Sequence, residues 1–166
     1  MVVAIPIGNQ PRISKHAGFT YIGLLMVIAI AGIGLAGVGI VWHQDIQRER
    51  EKELLFIGDG YRKAIGSYYE NPPNGAIKQY PKRLEDLLID SRFPSIKRHL
   101  RKLYTDPITH NQPWGLEMQQ GQITGVYSTS KAAPIKKTGF PSLYSTFNDA
   151  AEYRDWKFIY SPGSNL

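Results

Sequence analysis

From Phe19 to Trp42 the chain carries 24 consecutive residues with no Asp, Glu, Lys, Arg or His. A helix of that length rises roughly 36 Å, more than a bilayer's hydrocarbon core of about 30 Å requires. A helix apolar on every side has to be covered by something other than itself. The sequence therefore predicts a transmembrane helix over 19–42, with some tilt. An ordinary cleaved secretory signal is excluded, because its apolar region covers only about 7–15 residues and ends at a small-residue cut site. Here the run is longer and His43-Gln44-Asp45 follows it.

Charge sets the orientation. Residues 1–18 contain Arg12 and Lys15 and no acid, so positive-inside logic keeps them in the cytoplasm. Residues 43–166 are then expected on the far side of the membrane. The net charge of +6 falls to +4 without Arg12 and Lys15, an excess that speaks to solubility rather than to a partner. Cysteine is absent, so neither disulfides nor thiolate metal sites can staple the exported part. Its stability has to come from a packed core, which a domain of this size can supply.

The helix is expected to continue past the apolar run. Arg48-Glu49-Arg50-Glu51-Lys52-Glu53 alternates in sign, as a solvated helix laced with side-chain pairs does. Leu54, Ile57, Tyr61, Ile65 and Tyr68 then recur at spacings of three and four, an amphipathic stripe. One helix from Phe19 to about Tyr69 is predicted, with Gly58, Gly60 and Gly66 as places where it could bend. Asn71-Pro72-Pro73-Asn74-Gly75 ends it. A short second helix is expected over Tyr80–Leu88, with Pro81 in its first turn and Leu84, Leu87 and Leu88 facing inward. A third is expected over Ser95–Leu103, with Ile96, Leu100 and Leu103 inward. Trp114–Met118 and Gln122–Tyr127 flank Gln119-Gln120-Gly121 as a β-hairpin, Lys131–Ser145 reads as a loop, and Trp156–Tyr160 has a strand pattern. The fold class is α+β: a long amino-terminal transmembrane and amphipathic helix packed on a small antiparallel sheet.

Ahead of the apolar run stands Ala17-Gly18-Phe19-Thr20-Tyr21-Ile22-Gly23-Leu24-Leu25-Met26. A basic leader ending in Gly, then Phe-Thr-Tyr-Ile and a full span, resembles the prepilin signal of type IV pilins and type II secretion pseudopilins. The resemblance implies a type IV pilin-like fold divided into a leader (1–18), a transmembrane helix (19–42), its periplasmic continuation (43–70) and a globular head (71–166). It implies cleavage by prepilin peptidase between Gly18 and Phe19, N-methylation of Phe19, and a single-pass protein of the bacterial inner membrane with a periplasmic head. The partners it implies are other pseudopilins, the peptidase, an inner-membrane platform protein and, through that, an assembly ATPase. The assembly helix would use Tyr21, Gly23, Gly32, Gly34 and Gly37, small residues letting neighbouring helices approach. Members of the family usually carry Glu where Gly23 stands. Its absence resembles a minor or specialised subunit. Pro81, Leu84, Leu87 and Leu88, then Asp106-Pro107 and Trp114-Gly115, resemble in order a pattern of major pseudopilin heads, except that residues 108–113 part the last two elements.

Three constellations could carry other chemistry. Lys97, Arg98, Arg101 and Lys102, beside His99, form a basic patch of the kind that could meet an acidic neighbour or DNA phosphates. On a helix with Ile96, Leu100 and Leu103 inward they would be its solvated face, the reading preferred here, with nucleic acid last. Asp149 and Asp155, with Glu152 and Asn148, are the local candidates for the carboxyl-terminal calcium loop of major pseudopilins, but no glycine makes the sharp turn calcium loops use. No cofactor is otherwise expected. His16, His43, His99 and His110 have no Ser, Cys or metal-ligand spacing beside them and read as ordinary surface histidines, so no enzyme is expected. The aromatics Tyr61, Tyr68, Tyr69, Trp114, Trp156 and Tyr160 read as head core. The rival readings are a type IV pilus or competence pilin that contacts DNA, and a membrane-anchored periplasmic binding module.

Overall fold

The computed structural model describes residues 17–110 and 112–163, with only the backbone of residues 17–20 and 33–44. The leader expected over 1–18 lies almost wholly outside the described residues. The chain divides into two compact units, Met1–His43 and Gln44–Leu166. Helix α1 spans Ala17–Glu70 and contributes residues to both. In the first unit every residue from Tyr21 to Gly32 is exposed. Among the described residues no helix is long and apolar enough to cross a membrane; the side chains of 19–20 and 33–42, half of the expected span, are outside them.

The second unit is α+β. Strands β1 (Gly115–Gln119), β2 (Gln122–Tyr127) and β3 (Lys157–Ile159) form one antiparallel sheet in the order β1-β2-β3. The β1–β2 turn is made by Gln120 and Gly121, with φ of 52° and 76°, the doubly positive geometry that matches the twist of a two-residue hairpin. Between Glu117 and Met118 the register shifts, and the Thr124 hydroxyl donates to the Glu117 carbonyl at 3.2 Å there.

The outer part of α1 lies on this sheet by the predicted stripe. Leu54, Ile57, Tyr61, Ile65 and Tyr68 are all buried, with Ile123 and Val126 of β2 and Phe158 of β3 in the same core. Aromatic rings fill most of it: Phe147 stacks on Trp156 at 5.6 Å and meets Phe158 edge-on at 5.2 Å. Gly58 and Gly66 permit the approach of helix to ring. A Cβ on Gly58 would stand 2.3 Å from the Phe158 ring, and one on Gly66 would stand 2.7 Å from that of Tyr160. Gly60, by contrast, faces open space.

Two expected helices are corrected. The segment around Tyr80–Leu88 makes only a 3-10 turn over Leu84–Leu87. The Asp86 carboxylate accepts the backbone N–H of both Lys82 and Arg83, which caps the start of the turn at Leu84. Leu87 is fully buried there, whereas Leu84 and Leu88 are half-buried. Residues 95–103 form no helix. Pro94 offers no N–H, and the donors of His99 and Leu100 go to the Leu87 carbonyl while Asp90 N–H goes to Lys97 O. Ile96 and Leu103, expected inward, are 76% and 37% exposed; Leu100 is half-buried against the core. The expected Lys131–Ser145 loop closes with a 3-10 turn over Ser142–Phe147 that buries Tyr144 and Phe147.

Candidate functional site

The largest run of exposed apolar side chains among the described residues is in the first stretch of α1. Ile22, Leu24, Leu25, Met26, Val27, Ile28 and Ile30 are 48–65% exposed, and Tyr21 is 63% exposed. A helix exposes such residues on all sides only where another phase or another chain covers them. Nothing stands within 4 Å of a Cβ placed on Gly23 or Gly32, so both leave open notches on this rod. The Gly18–Phe19 bond lies within the described range of α1, Ala17–Glu70. The surroundings of Phe19, Gly34 and Gly37 lie outside the described residues.

In the second unit three polar centres order the loops, and two of them include residues of α1. Glu51 is buried in the α1 stretch next to the core stripe. Its carboxylate accepts the N–H of Ile135 and of Lys136 and the hydroxyl of Tyr153, the last at 2.9 Å. Gln47, one turn earlier, donates to Tyr153 Oη at 2.8 Å and to Ala133 O at 3.3 Å. Burial pushes the Tyr153 phenol up to about 12; the Gln47 bond opposes this and donation to Glu51 adds to it. Asp106 is the second centre, fully buried, accepting from Ser128 Oγ at 2.7 Å, Ile108 N–H at 2.9 Å and Thr109 Oγ1 at 3.0 Å. Beside it Trp114 Nε1 donates to Tyr104 O at 2.8 Å. The Asp106-Pro107 and Trp114-Gly115 elements thus fold into one neighbourhood through Tyr104 and Tyr61.

The third centre corrects the surface assignment of His99, whose side chain is 1% exposed. Nε2 stands 3.1 Å from Asp90 Oδ2 and Nδ1 stands 2.8 Å from Ser67 Oγ. A carboxylate cannot donate, so Nε2 carries the proton and Nδ1 accepts the Ser67 hydroxyl. Arg92 grips the same carboxylate at 2.8 and 2.7 Å, donates to Tyr68 O at 2.8 Å and lies 3.5 Å over the Tyr68 ring. Burial holds the His99 imidazole below its ordinary value, against the raising effect of Asp90. Burial would raise Asp90, but the bonds from Arg92 and His99 hold it below the usual carboxylate range.

Ser67, His99 and Asp90 therefore stand in the donor order of a hydrolytic triad, which separates in sequence had hidden. Their setting is different. Ser67 sits inside α1, Asp90 is shared with Arg92, and the His99 side chain between them is 1% exposed. What the arrangement does physically is strap residues 90–100 onto the last turn of α1.

The basic patch is not one helical face. Arg98, Arg101 and Lys102 are exposed on an irregular strand of chain, and Lys97 is half-buried with its ammonium 4.2 Å from the Phe93 ring. The calcium candidates do not converge. Glu152 pairs with Arg154 at 2.6 Å, Asp155 accepts the Glu152 N–H at 3.0 Å, and Asp149 sits at φ 55°. Among the described residues no group of three or more His, Asp or Glu side chains could hold a metal ion. Comparison with protein-family models, with curated proteins and with solved structures found no match to this chain.

Proposed function

We propose that this chain is a pseudopilin with a type IV pilin-like fold, an inner-membrane interaction protein of a type II secretion machine rather than an enzyme. The observation that carries the reading is the uncovered apolar stretch from Tyr21 to Gly32, directly behind Gly18–Phe19 and continuous with the helix that supplies the core stripe of an α+β unit. A basic leader would hold the precursor in the bilayer until prepilin peptidase cuts after Gly18 and methylates Phe19. The freed rod would then exchange lipid contacts for close packing against like helices, its glycines allowing short interhelical distances. A platform protein and its ATPase would drive that transfer. Gly23 supplies no intramembrane carboxylate, which suits a minor or specialised subunit. The exposed Arg98, Arg101 and Lys102 would face an acidic neighbour in the assembly, and the Ser67–His99–Asp90 set would serve as a strap.

The test is mass spectrometry of the protein purified from its native host. The expected mature chain begins with N-methylated Phe19. A chain that retains residues 1–18 in the presence of active peptidase, or one cut after Trp42, refutes the proposal.

A further inference from the structure

Residues 135–138 and the α1 stretch Arg48–Leu55 enclose a cleft of about 440 Å³. Four cations line it: Arg48 and Lys52 from the helix, Lys136 and Lys137 from the loop. Its one lining acid, Glu51, is already engaged by two backbone N–H groups and the Tyr153 hydroxyl. Two of the cations have local acceptors. Lys52 pairs with Glu49 at 3.0 Å, both of them well exposed, and Lys137 Nζ donates to Ala150 O at 2.7 Å. Lys136 Nζ stands 4.5 Å over the Phe140 ring, and among the described residues Arg48 makes no ion pair. Leu55 and Ile135 add an apolar lining between the charges.

We infer that this cleft receives the phosphate of an anionic phospholipid headgroup. Four cations outnumber the one carboxylate, which is buried, so the lining attracts a phosphodiester and disfavours the choline of a zwitterionic lipid. The Leu55 and Ile135 side chains suit the glycerol and upper acyl carbons that accompany such a phosphate. Arg48 and Lys52 also follow Trp42 by only six and ten positions in sequence, within the roughly 15–20 residues of a span's end where basic residues count toward the membrane. The inference rests on the membrane reading of the 19–42 segment.

The experiment uses the full chain in lipid nanodiscs of phosphatidylcholine, of phosphatidylcholine with phosphatidylglycerol, and of phosphatidylcholine with added inorganic phosphate. The readout is acylation of Lys136 by a water-soluble ester, measured against Lys97 outside the cleft. Phosphatidylglycerol is expected to slow Lys136 roughly fivefold, the effect of one basic residue at an anionic surface. Arg48→Gln should abolish most of that protection and Arg101→Gln, at an exposed position outside the cleft, should leave it. Equal rates in all three conditions overturn the lipid site while the membrane reading stands. Equal protection by inorganic phosphate overturns the lipid as its source. A chain that enters no nanodisc overturns the inference and the membrane reading together.

Discussion

Replacing Gly58 by Ala places a methyl carbon 2.3–2.5 Å from three atoms of the Phe158 ring. Phe158 is fully buried, held edge-on by Phe147 at 5.2 Å and by Tyr144 at 5.7 Å. The ring cannot swing away without disturbing both neighbours, so the helix or β3 has to move. Overpacking of this kind costs about 1–3 kcal/mol. Ala is worth up to about 1 kcal/mol over Gly in a helix, which leaves a net loss of up to about 2 kcal/mol. Gly60, two residues on, provides the control. Nothing stands within 4 Å of its Cβ position, so Gly60→Ala collects the helix term alone and should stabilise by up to about 1 kcal/mol. For a chain of this size each kcal/mol shifts Tm by roughly 2–4 °C. Thermal unfolding of the two variants in the same detergent should move Tm in opposite directions. If Gly58→Ala raises Tm as Gly60→Ala does, the close approach of α1 to β3 is wrong and so is the packing built on it.

Acid should loosen the strap at the end of α1. His99 is held below its ordinary 6.5 by burial, so as pH falls through about 6.5 the unfolded chain takes up that proton before the folded one and stability declines. The stability that Asp90 contributes is present above its ordinary 3.8 and is lost only at lower pH, because its folded value is depressed. Urea unfolding across pH 5–7 should therefore slope downward with acid in the wild type and flatten in His99→Gln; identical slopes would remove His99 as the cause. Glu51→Ala leaves two backbone N–H groups and a phenol without their acceptor, at about 1–3 kcal/mol for each group that finds no water. Trypsin should then cut after Lys131, Lys136 or Lys137 faster than in the wild type, and an unchanged cleavage rate would show that Glu51 does not hold the loop.

What the sequence disclosed about this fold depended on how local the determining interaction was. The core stripe from Leu54 to Tyr68 was readable because helical period is a property of neighbours in sequence, and the Gln120-Gly121 hairpin because its turn chemistry is contained in two residues. The segment 95–103 misled for the opposite reason. Its alternation of Ile96, Leu100 and Leu103 with basic residues fits a helix, but the backbone donors of His99 and Leu100 find their acceptor in Leu87, twelve and thirteen residues away in the chain. The same distance hid the strap: Ser67, Asp90 and His99 share no spacing pattern, and only the return of the chain to the end of α1 brings them together. Gly58 and Gly66 were misread as points of bending because a glycine's function as clearance depends on the ring opposite, Phe158 or Tyr160, about 90–100 residues later.

The local and non-local halves meet in α1. From residue 47 onward each inward position is answered by a partner in the second unit, whether an aromatic ring, a loop N–H or a buried carboxylate. From Tyr21 to Gly32 none of the exposed side chains has such an answer. One helix that is fully specified by its own chain at one end and left uncovered at the other has a division of labour written along it. The outer stretch can be stable before assembly, while the apolar stretch takes its stability from whatever covers it. Substitutions in the two stretches should therefore differ in kind. Gly58→Ala should lower Tm of the isolated chain, whereas a bulky residue at Gly23 or Gly32 meets open space there and should leave Tm unchanged while altering assembly. Gly32→Leu is the sharper of the two, because leucine is as apolar as its neighbours and keeps the segment compatible with lipid. A fall in Tm for Gly32→Leu comparable to that of Gly58→Ala would mean that the apolar stretch has a partner within its own chain, and the division would fail.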